Sequence, residues 1–228
     1  MSSSSINKIY KSIKEKLNLK IISSEEEILE LKKTPPSDKT ICYKILIIGA
    51  NSVGKTSFCN RISRNVFDLE IKSSEETICF LKTLTLFDEE IKLFLLDIKE
   101  NSMDEEEVKE LYKDINGIIA IYDITQNESF LKTEKILNST KKKINWNNKI
   151  PIYMLGNKND LKFLRAIDYA ANNENGSFKG YEVKEINCVK DDDITHNIIK
   201  NLVAKIYFNN LKDEEKDKIR NEAKDCNI

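Results

Sequence analysis

The sequence predicts an α/β fold, a doubly wound and mostly parallel sheet of six strands with helices on both faces. From Ile41 onward, short apolar runs alternate with longer polar segments of helical period. Several runs are apolar on both faces, as strands buried within a parallel sheet must be. One pair of runs is joined only by a short acidic turn in "LTLFDEEIKL", which predicts a hairpin and therefore one antiparallel strand.

The six apolar runs define the predicted strands in chain order. They are Tyr43–Ile48, Cys79–Leu86, Ile91–Asp97, Gly117–Asp123, Ile150–Gly156 and Tyr181–Asn187. Helices are predicted after the first, fourth and sixth strands, the last two in "NESFLKTEKILNSTKKK" and "DDDITHNIIKNLVAKIYF". Ligands of such a sheet bind beyond the carboxyl ends of its strands, so functional residues are expected there.

The chain is predicted to have three parts: an N-terminal helical extension and linker (1–40), the sheet domain (41–210) and a charged C-terminal tail (211–228). In the extension, apolar residues recur at helical spacing before "TPPSD" breaks the pattern, at Ile6, Ile9, Tyr10, Ile13 and Leu17. This helix is interpreted either as packing on the domain's own surface or as binding a partner.

Composition excludes several classes of protein. The 228 residues, 40% of them hydrophobic, can fill the core of one domain. The 37 basic and 38 acidic residues give a net charge of −1, so no global field favours a nucleic acid polymer. Five dispersed cysteines predict buried or reduced thiols of an intracellular protein, and a single histidine gives little support to His-centred chemistry. No run approaches the ~18 apolar residues of a membrane span.

The stretch "GANSVGKT", Gly49–Thr56, matches the pattern G-x-x-x-x-G-K-[ST] between a predicted strand and a predicted helix. Backbone N–H groups of such a loop and of the helix N-terminus converge on phosphate oxygens. Lys55 adds a point charge at the outer phosphates, and Thr56 offers a hydroxyl to Mg²⁺. The sequence therefore predicts a phosphate-binding loop.

A second motif, "LGNKNDL", places Asn157, Lys158 and Asp160 at the end of the fifth predicted strand. A carboxylate there can accept both the ring N–H and the exocyclic amine of guanine. Adenine would leave that carboxylate unpaired. The motif therefore favours a guanine nucleotide over an adenine nucleotide.

With these motifs the chain resembles the Ras-superfamily small GTPases, most closely the Rab branch, over about Tyr43–Phe208. The resemblance rests on "GANSVGKTS", "IKLFLLD", "GIIAIYDITQNESF" and "LGNKNDL". It implies a phosphate-loop G domain that binds GTP or GDP with Mg²⁺. The phosphate cradle implied is Asn51, Ser52, Val53, Gly54, Lys55, Thr56 and Ser57, with Lys55 also assigned to catalysis.

The resemblance also assigns the other contacts to the nucleotide and the metal. For the base it implies Asn157, Lys158, Asp160 and the "EINCVK" residues Asn187, Cys188 and Val189, where a backbone N–H of Cys188 meets the guanine oxygen. Phe67, twelve positions after Lys55, would shield the purine or serve as a plain core aromatic. Magnesium would be held by Thr56, by Asp97 through water, and by a first-switch hydroxyl, for which Ser74 is favoured over Thr77.

Departures from the family pattern concern catalysis more than binding. The family's D-x-x-G followed by glutamine corresponds here to Asp97-Ile98-Lys99-Glu100-Asn101. Glu100 replaces the glycine, and Asn101, the implied catalytic residue, is one methylene shorter than glutamine, so hydrolysis is expected to be slow or absent. Ser52 replaces a glycine of the phosphate loop, which puts the local backbone geometry in question.

The function implied is a Rab-like, GTP-binding switch in vesicle trafficking with weak or partner-dependent hydrolysis. The alternative is a pseudo-GTPase, a nucleotide-stabilised interaction module without turnover. Expected partners are exchange factors, GTPase-activating proteins and effectors, and the protein is expected to be a monomer. A cytoplasmic location is expected, peripheral on endomembranes at most and by an indirect or atypical attachment, because Cys226 stands one place short of a prenylation box.

Overall fold

The computed structural model describes residues 20–22, 41–67, 77–86, 89–99, 110–147, 149–167, 181–190 and 192–211, together with 213 and 216. Its strands are β1 (Lys20–Ile22), β2 (Ile41–Ile48), β3 (Ile78–Leu86), β4 (Glu89–Asp97), β5 (Gly117–Asp123), β6 (Ile152–Asn157) and β7 (Glu182–Glu185). The helices are α1 (Lys55–Arg64), α2 (Asn127–Lys143) and α3 (Asp192–Asn210), and a 3₁₀ segment spans Asn159–Leu164.

The strands form one sheet in the order β1-β3-β4-β2-β5-β6-β7. Every neighbouring pair is parallel except β3 and β4, which form the predicted hairpin with Leu86 opposite Glu89. The predicted fold class is therefore confirmed. The six predicted strands lie within two residues of β2 to β7 at each end.

The strand β1 was not predicted. It pairs in parallel with the outer edge of β3, with Lys20 opposite Ile78 and Ile22 opposite Phe80. The helical interpretation of the N-terminal extension is therefore wrong at these three residues, whose backbone pairs with a sheet edge. The five apolar residues on which that helix was predicted lie outside the described residues.

Alternation along β2 divides the core into two layers. Ile45 and Ile47 pack in the layer that contains Phe58 of α1 and Leu202 of α3. The residue that follows each of them packs in the opposite layer, which contains Leu137 of α2. Because both faces of the sheet are covered, β2 and β5 are apolar and buried almost throughout.

The chain order makes β2 the switch point of the sheet. From β2 the chain passes to the hairpin β3–β4 on one side, and then to β5 on the other side. Adjacent loops diverge at such a point and leave a crevice beyond the carboxyl end of the strand. The candidate phosphate loop leaves β2 at this crevice.

The residues at the ends of α1 and α2 are of types that favour helix boundaries. Helix α1 follows Gly54, whose φ is 99°, and is closed by Asn65 at φ 55°, whose N–H donates to the Arg61 carbonyl. Helix α2 carries Glu128 in its first turn and three lysines in its last turn, which complement the helix dipole.

Within the described ranges, no helix combines the length and the apolarity needed to cross a bilayer.

The four cysteines in the described ranges, Cys42, Cys59, Cys79 and Cys188, are buried free thiols. Burial raises the pKa of Cys42, Cys79 and Cys188 to about 12. It also raises the pKa of Cys59 well above its usual value. Since the thiolate is the reactive species, these four side chains should be inert in the folded protein.

In a Cys226→Ser variant we therefore expect well under one equivalent of thiol to react with Ellman's reagent near neutral pH in the native protein. Addition of denaturant should release all four remaining thiols. The readout is absorbance with time, and the unsubstituted protein is the control for Cys226 itself. Rapid reaction of two or more thiols in the native variant would contradict the burial described above.

Candidate functional site

The carboxyl ends of β2, β4 and β6 bring the candidate site residues to one edge of the sheet. The loop after β2 begins at Gly49, β4 ends at Asp97, and β6 ends at Asn157. β2 lies beside β4, and β5 alone separates it from β6. Residues that are far apart in sequence therefore converge on the crevice at the switch point.

The loop after β2 wraps around the ammonium group of Lys55. Its Nζ donates to the carbonyls of Gly49 at 2.8 Å and Ala50 at 2.7 Å, and the residue is 5% exposed. Gly49 has φ 148°, and a Cβ there would lie 2.1 Å from the carbonyl oxygen of Ile121 on β5. Only glycine allows the loop to pass so close to the neighbouring strand.

The loop after β2 also offers backbone N–H groups as hydrogen-bond donors. The Ala50 N–H is used within the fold, because it donates to Thr133 Oγ1 at 3.1 Å. By contrast, the next four N–H groups, from Asn51 to Gly54, have no acceptor among the residues that the structure describes. A row of unused N–H groups ahead of a helix N-terminus is suited to bind an anion.

The Asn157 amide joins this loop to the other motif. Its Nδ2 donates to the Val53 carbonyl at 2.8 Å, and its Oδ1 lies 3.5 Å from the Cys188 backbone nitrogen. A Cβ on Gly54 would lie 2.2 Å from the Asn157 Nδ2. The glycine thus gives Asn157 room to bridge the loops after β2 and β7.

The other residues of the "NKND" motif have different surroundings. Lys158, at φ 68°, forms an ion pair with the buried Asp123 at the end of β5, with 2.6 Å between Nζ and Oδ2. Burial opposes ionisation of Asp123, but hydrogen bonds from Lys158 and Thr125 outweigh it and lower the pKa of this carboxyl. Asp160 is exposed, so its carboxylate is accessible to a ligand.

Arg61 of α1 supports the loop after β7. Its guanidinium donates to the carbonyls of Cys188 at 3.1 Å and Val189 at 3.0 Å. The Asn187 side chain accepts the Val189 N–H at 2.9 Å. The three residues of the weak "NCV" motif are therefore held by side chains, although their sequence departs from the family pattern.

Thr56 and Asp97 meet in a cluster that also contains Lys99. The Thr56 hydroxyl donates to Asp97 Oδ2 at 2.5 Å, and Lys99 Nζ lies 2.7 Å from the same carboxylate oxygen and 2.9 Å from the hydroxyl oxygen. Asp97 is fully buried, and its Oδ1 has no partner among the described residues.

The oxygens of this cluster fit Mg²⁺ in their chemistry. Mg²⁺ takes one or two protein oxygens and completes its shell with phosphate and water. A hydroxyl and a carboxylate with one unsatisfied oxygen are such a set, and no group of three or more acidic, His or Cys side chains suited to a metal occurs in the described ranges. Lys99, however, is hydrogen-bonded to both candidate ligands.

Some of the residues that were predicted for the site have no side-chain hydrogen bond to another site residue in the described ranges, and some lie outside the described residues. Phe67 is half-buried and packs against the core layer of α1 and α3. Thr77 is buried with its hydroxyl unpartnered among the described residues, and it precedes Ile78, which lies opposite Asp97 in the sheet. Ser74 and Asn101, which were also predicted for the site, lie outside the described residues, as does Glu100.

Sequence reasoning missed three side chains of this edge, Lys99, Asp123 and Arg61. Asp123 could have been found, because it ends a predicted strand beside the one that precedes Lys158. No sequence signal pointed to Arg61, whose partner Cys188 is 127 positions away. Lys99 stands at a position of the D-x-x-G motif for which the pattern specifies no residue type, so the motif gave no signal for it.

Comparisons with a family model and with individual known proteins both find similarity to Ras-related proteins. A sequence model described as "Ras family" matches residues 44–208. The "Ras-related protein Rab11B" of Nicotiana tabacum is 30% identical over 130 residues, which are 57% of this chain and 59% of that protein. The "Ras-related protein Rab2BV" of Beta vulgaris is 32% identical over 125 residues, 55% and 58% of the two chains. The chain thus spans less than two thirds of these relatives' length.

The strained residue of the loop generates a prediction about stability. Ser52 has φ 62° and an exposed side chain, so a serine occupies a left-handed conformation that favours glycine. The left-handed conformation costs an L-residue about 1–2 kcal/mol, whereas the greater loss of backbone entropy on folding costs a glycine about 0.5–1 kcal/mol. Ser52→Gly should therefore raise the free energy of unfolding by about 0.5–1 kcal/mol. Urea denaturation with an unchanged m-value measures this.

Ser139→Gly provides the matched control, because Ser139 is exposed within α2. There the same substitution should destabilise the protein by about 0.5 kcal/mol, since glycine is a poor helix former. Equal destabilisation by both substitutions would show that the loop conformation at Ser52 carries no strain.

Proposed function

Because this chain belongs to the Ras family of small GTPases and is Rab-like, we propose that it binds guanine nucleotides and acts as a switch in vesicle trafficking. The observation that carries the proposal is the hydrogen bond from Asn157 Nδ2 to the Val53 carbonyl. It joins the phosphate loop and the base-recognition motif into one rigid site. Nucleotide binding uses both motifs at once, so their separation must be fixed before the ligand arrives.

Base recognition is assigned to Asp160. Its exposed carboxylate would accept the ring N–H and the amine of guanine. The ion pair between Lys158 and Asp123 holds the start of the 3₁₀ segment that carries Asp160. The Cys188 N–H, in the loop held by Arg61, makes only a long hydrogen bond of 3.5 Å to Asn157 Oδ1 and would donate to the guanine oxygen as a second acceptor.

Phosphate binding is assigned to Lys55 and to the backbone of the loop from Asn51 to Ser57. The loop's N–H groups would donate to phosphate oxygens, and the positive end of the α1 dipole favours the same charge. Thr56 and Asp97 would hold Mg²⁺ where it displaces Lys99 from them, and the metal when bound would neutralise charge on the phosphates. Phe67 would lie against the purine.

Turnover of GTP is proposed to be slow or dependent on a partner. The support is in the sequence, which has Glu100 and Asn101 where the family has glycine and the water-orienting glutamine. An activating protein that supplies an arginine can restore a rate of ~10³ to 10⁵ times the intrinsic one. Exchange factors, activating proteins and effectors are the proposed partners, on the cytoplasmic side of endomembranes.

A second candidate function, a nucleotide-stabilised interaction module without turnover, is favoured by Lys99. Its ammonium is bonded to both candidate magnesium ligands, so the catalytic metal would have to compete for them. The first-switch hydroxyl, assigned to Ser74 or to Thr77, does not discriminate between the two functions.

Single-turnover release of phosphate from protein preloaded with GTP and Mg²⁺ separates the two functions. A slow switch should release γ-phosphate at roughly 10⁻⁴ s⁻¹, the intrinsic scale of a slow GTPase. Intact GTP retained for many hours would favour the interaction module. Failure to retain GTP or GDP at all would contradict both proposals.

Asp160→Ala should weaken GDP binding on the order of 10²-fold and remove the preference for GDP over ADP, because the carboxylate's two hydrogen bonds to guanine are lost. Equilibrium titration with fluorescent GDP and ADP analogues measures both effects. Glu89→Ala is the control, since Glu89 is exposed at the other end of β4 and should leave both affinities unchanged. Unaltered selectivity in Asp160→Ala would exclude this residue from base recognition.

A further inference from the structure

The ammonium group of Lys99 lies where a cation bound by Thr56 and Asp97 would lie. It is within 2.9 Å of the Thr56 hydroxyl oxygen and 2.7 Å of Asp97 Oδ2. The Lys99 side chain is 11% exposed and the Asp97 side chain is fully buried. The contact is therefore a buried ion pair with a hydroxyl in its shell, which differs from the solvated pairs on the protein's surface.

The fold itself places Lys99 in this position. Ile98 is fully buried in the core layer that contains α2, and its N–H donates to the Ile47 carbonyl at 3.3 Å. The backbone after β4 is thus held to β2 for one more residue beyond Asp97. The next side chain, Lys99, begins from this fixed point and needs no mobile segment to reach the carboxylate.

We propose that Lys99 is a built-in cation that takes the place of Mg²⁺ at the phosphate-binding site, so that the protein retains guanosine diphosphate without a divalent metal. This rests on the proposed function, since it presumes a guanine nucleotide in the crevice. The residue acts by neutralising and holding charge and takes no part in a covalent step.

Charge balance supports the proposal. A fully buried carboxylate beside a phosphate site repels the ligand unless a cation lies between them or beside them. Lys99 is bonded directly to Asp97, at 2.7 Å from its Oδ2. The cation that compensates Asp97 therefore belongs to the chain.

Unused bonding capacity in the cluster also supports it. A lysine ammonium has three donors, and Lys99 uses two of them on Thr56 and Asp97. The third has no acceptor among the described residues, in a group that is largely excluded from water. A phosphate oxygen of the nucleotide could accept this third hydrogen bond. The same oxygen could also coordinate a metal ion in the place of the ammonium group.

The same contacts predict competition with magnesium. Mg²⁺ would need the oxygens of Thr56 and Asp97 that Lys99 already engages, and the two cations would repel each other at this distance. Magnesium must therefore displace Lys99 from its ion pair before it binds. Substitution of Lys99 should strengthen the dependence of nucleotide binding on magnesium.

The test is release of fluorescent GDP from the full chain in excess unlabelled GDP, with excess Mg²⁺ or with excess EDTA. The native protein should release the nucleotide at nearly the same rate in both buffers. In Lys99→Met, whose side chain is similar in length and uncharged, EDTA should accelerate release by about tenfold or more, because Asp97 then lacks its cation.

Lys92→Met is the matched control. Lys92 lies on β4, the strand that precedes Lys99, its side chain is 9% exposed, and it is paired with Glu90 at 3.5 Å, away from the site. It should show the native metal independence. Lys99→Arg, which keeps the charge, should retain part of it.

Each outcome is decisive. Strong acceleration by EDTA in the native protein overturns the proposal without any variant, even if Lys99→Met fails to fold. Equal metal independence in Lys99→Met also overturns it. If the native protein binds no guanine nucleotide in either buffer, both this proposal and the proposed function fail. If it binds the nucleotide only in the presence of Mg²⁺, this proposal fails and the proposed function stands.

Discussion

The Asn157 amide is the interaction on which the site depends. Its two polar atoms face a carbonyl of the phosphate loop and an amide of the loop after β7, and its own strand, β6, supplies the base-recognition motif. Three loops are thus held by one buried side chain, whose contact with the phosphate loop joins residues 104 positions apart in sequence. Gly54 is needed for it, because any Cβ there would overlap the amide nitrogen.

Around this junction, buried charges are arranged in pairs. Asp97 is compensated by Lys99, and Asp123 by Lys158, and both carboxylates end strands of the central sheet. Removal of one partner from such a pair leaves an uncompensated buried charge, which costs more than the pair contributes. The pairs therefore fix which side chains can occupy the edge of the sheet, even though their net contribution to stability is small.

Much of the fold could be predicted from the sequence, because strands buried on both faces have continuous apolar runs with clear ends. β5 is an example, since all seven of its residues are buried and its predicted bounds were matched. The motifs at the ends of β2 and β6 were also predicted to converge, because parallel strands present their carboxyl ends at one edge.

What could not be predicted depends on tertiary contacts without a local pattern. β1 is only three residues long, and an edge pairing leaves no period in so short a segment. The contact between Lys99 and Thr56 joins residues 43 positions apart, and Lys99 has no feature in sequence that distinguishes it from a solvated lysine. The left-handed backbone at Ser52 likewise follows from the loop and not from serine's own preference.

The short strand β1 changes what the sheet offers to other chains. Without it, β3 would end the sheet with a row of unpaired N–H and C=O groups, the kind of edge onto which another protein can add a strand. Residues 20–22 occupy that edge over Ile78–Phe80, beside the end of β4 that carries Asp97. Strand addition from outside along this stretch must therefore first remove a strand that the chain provides for itself.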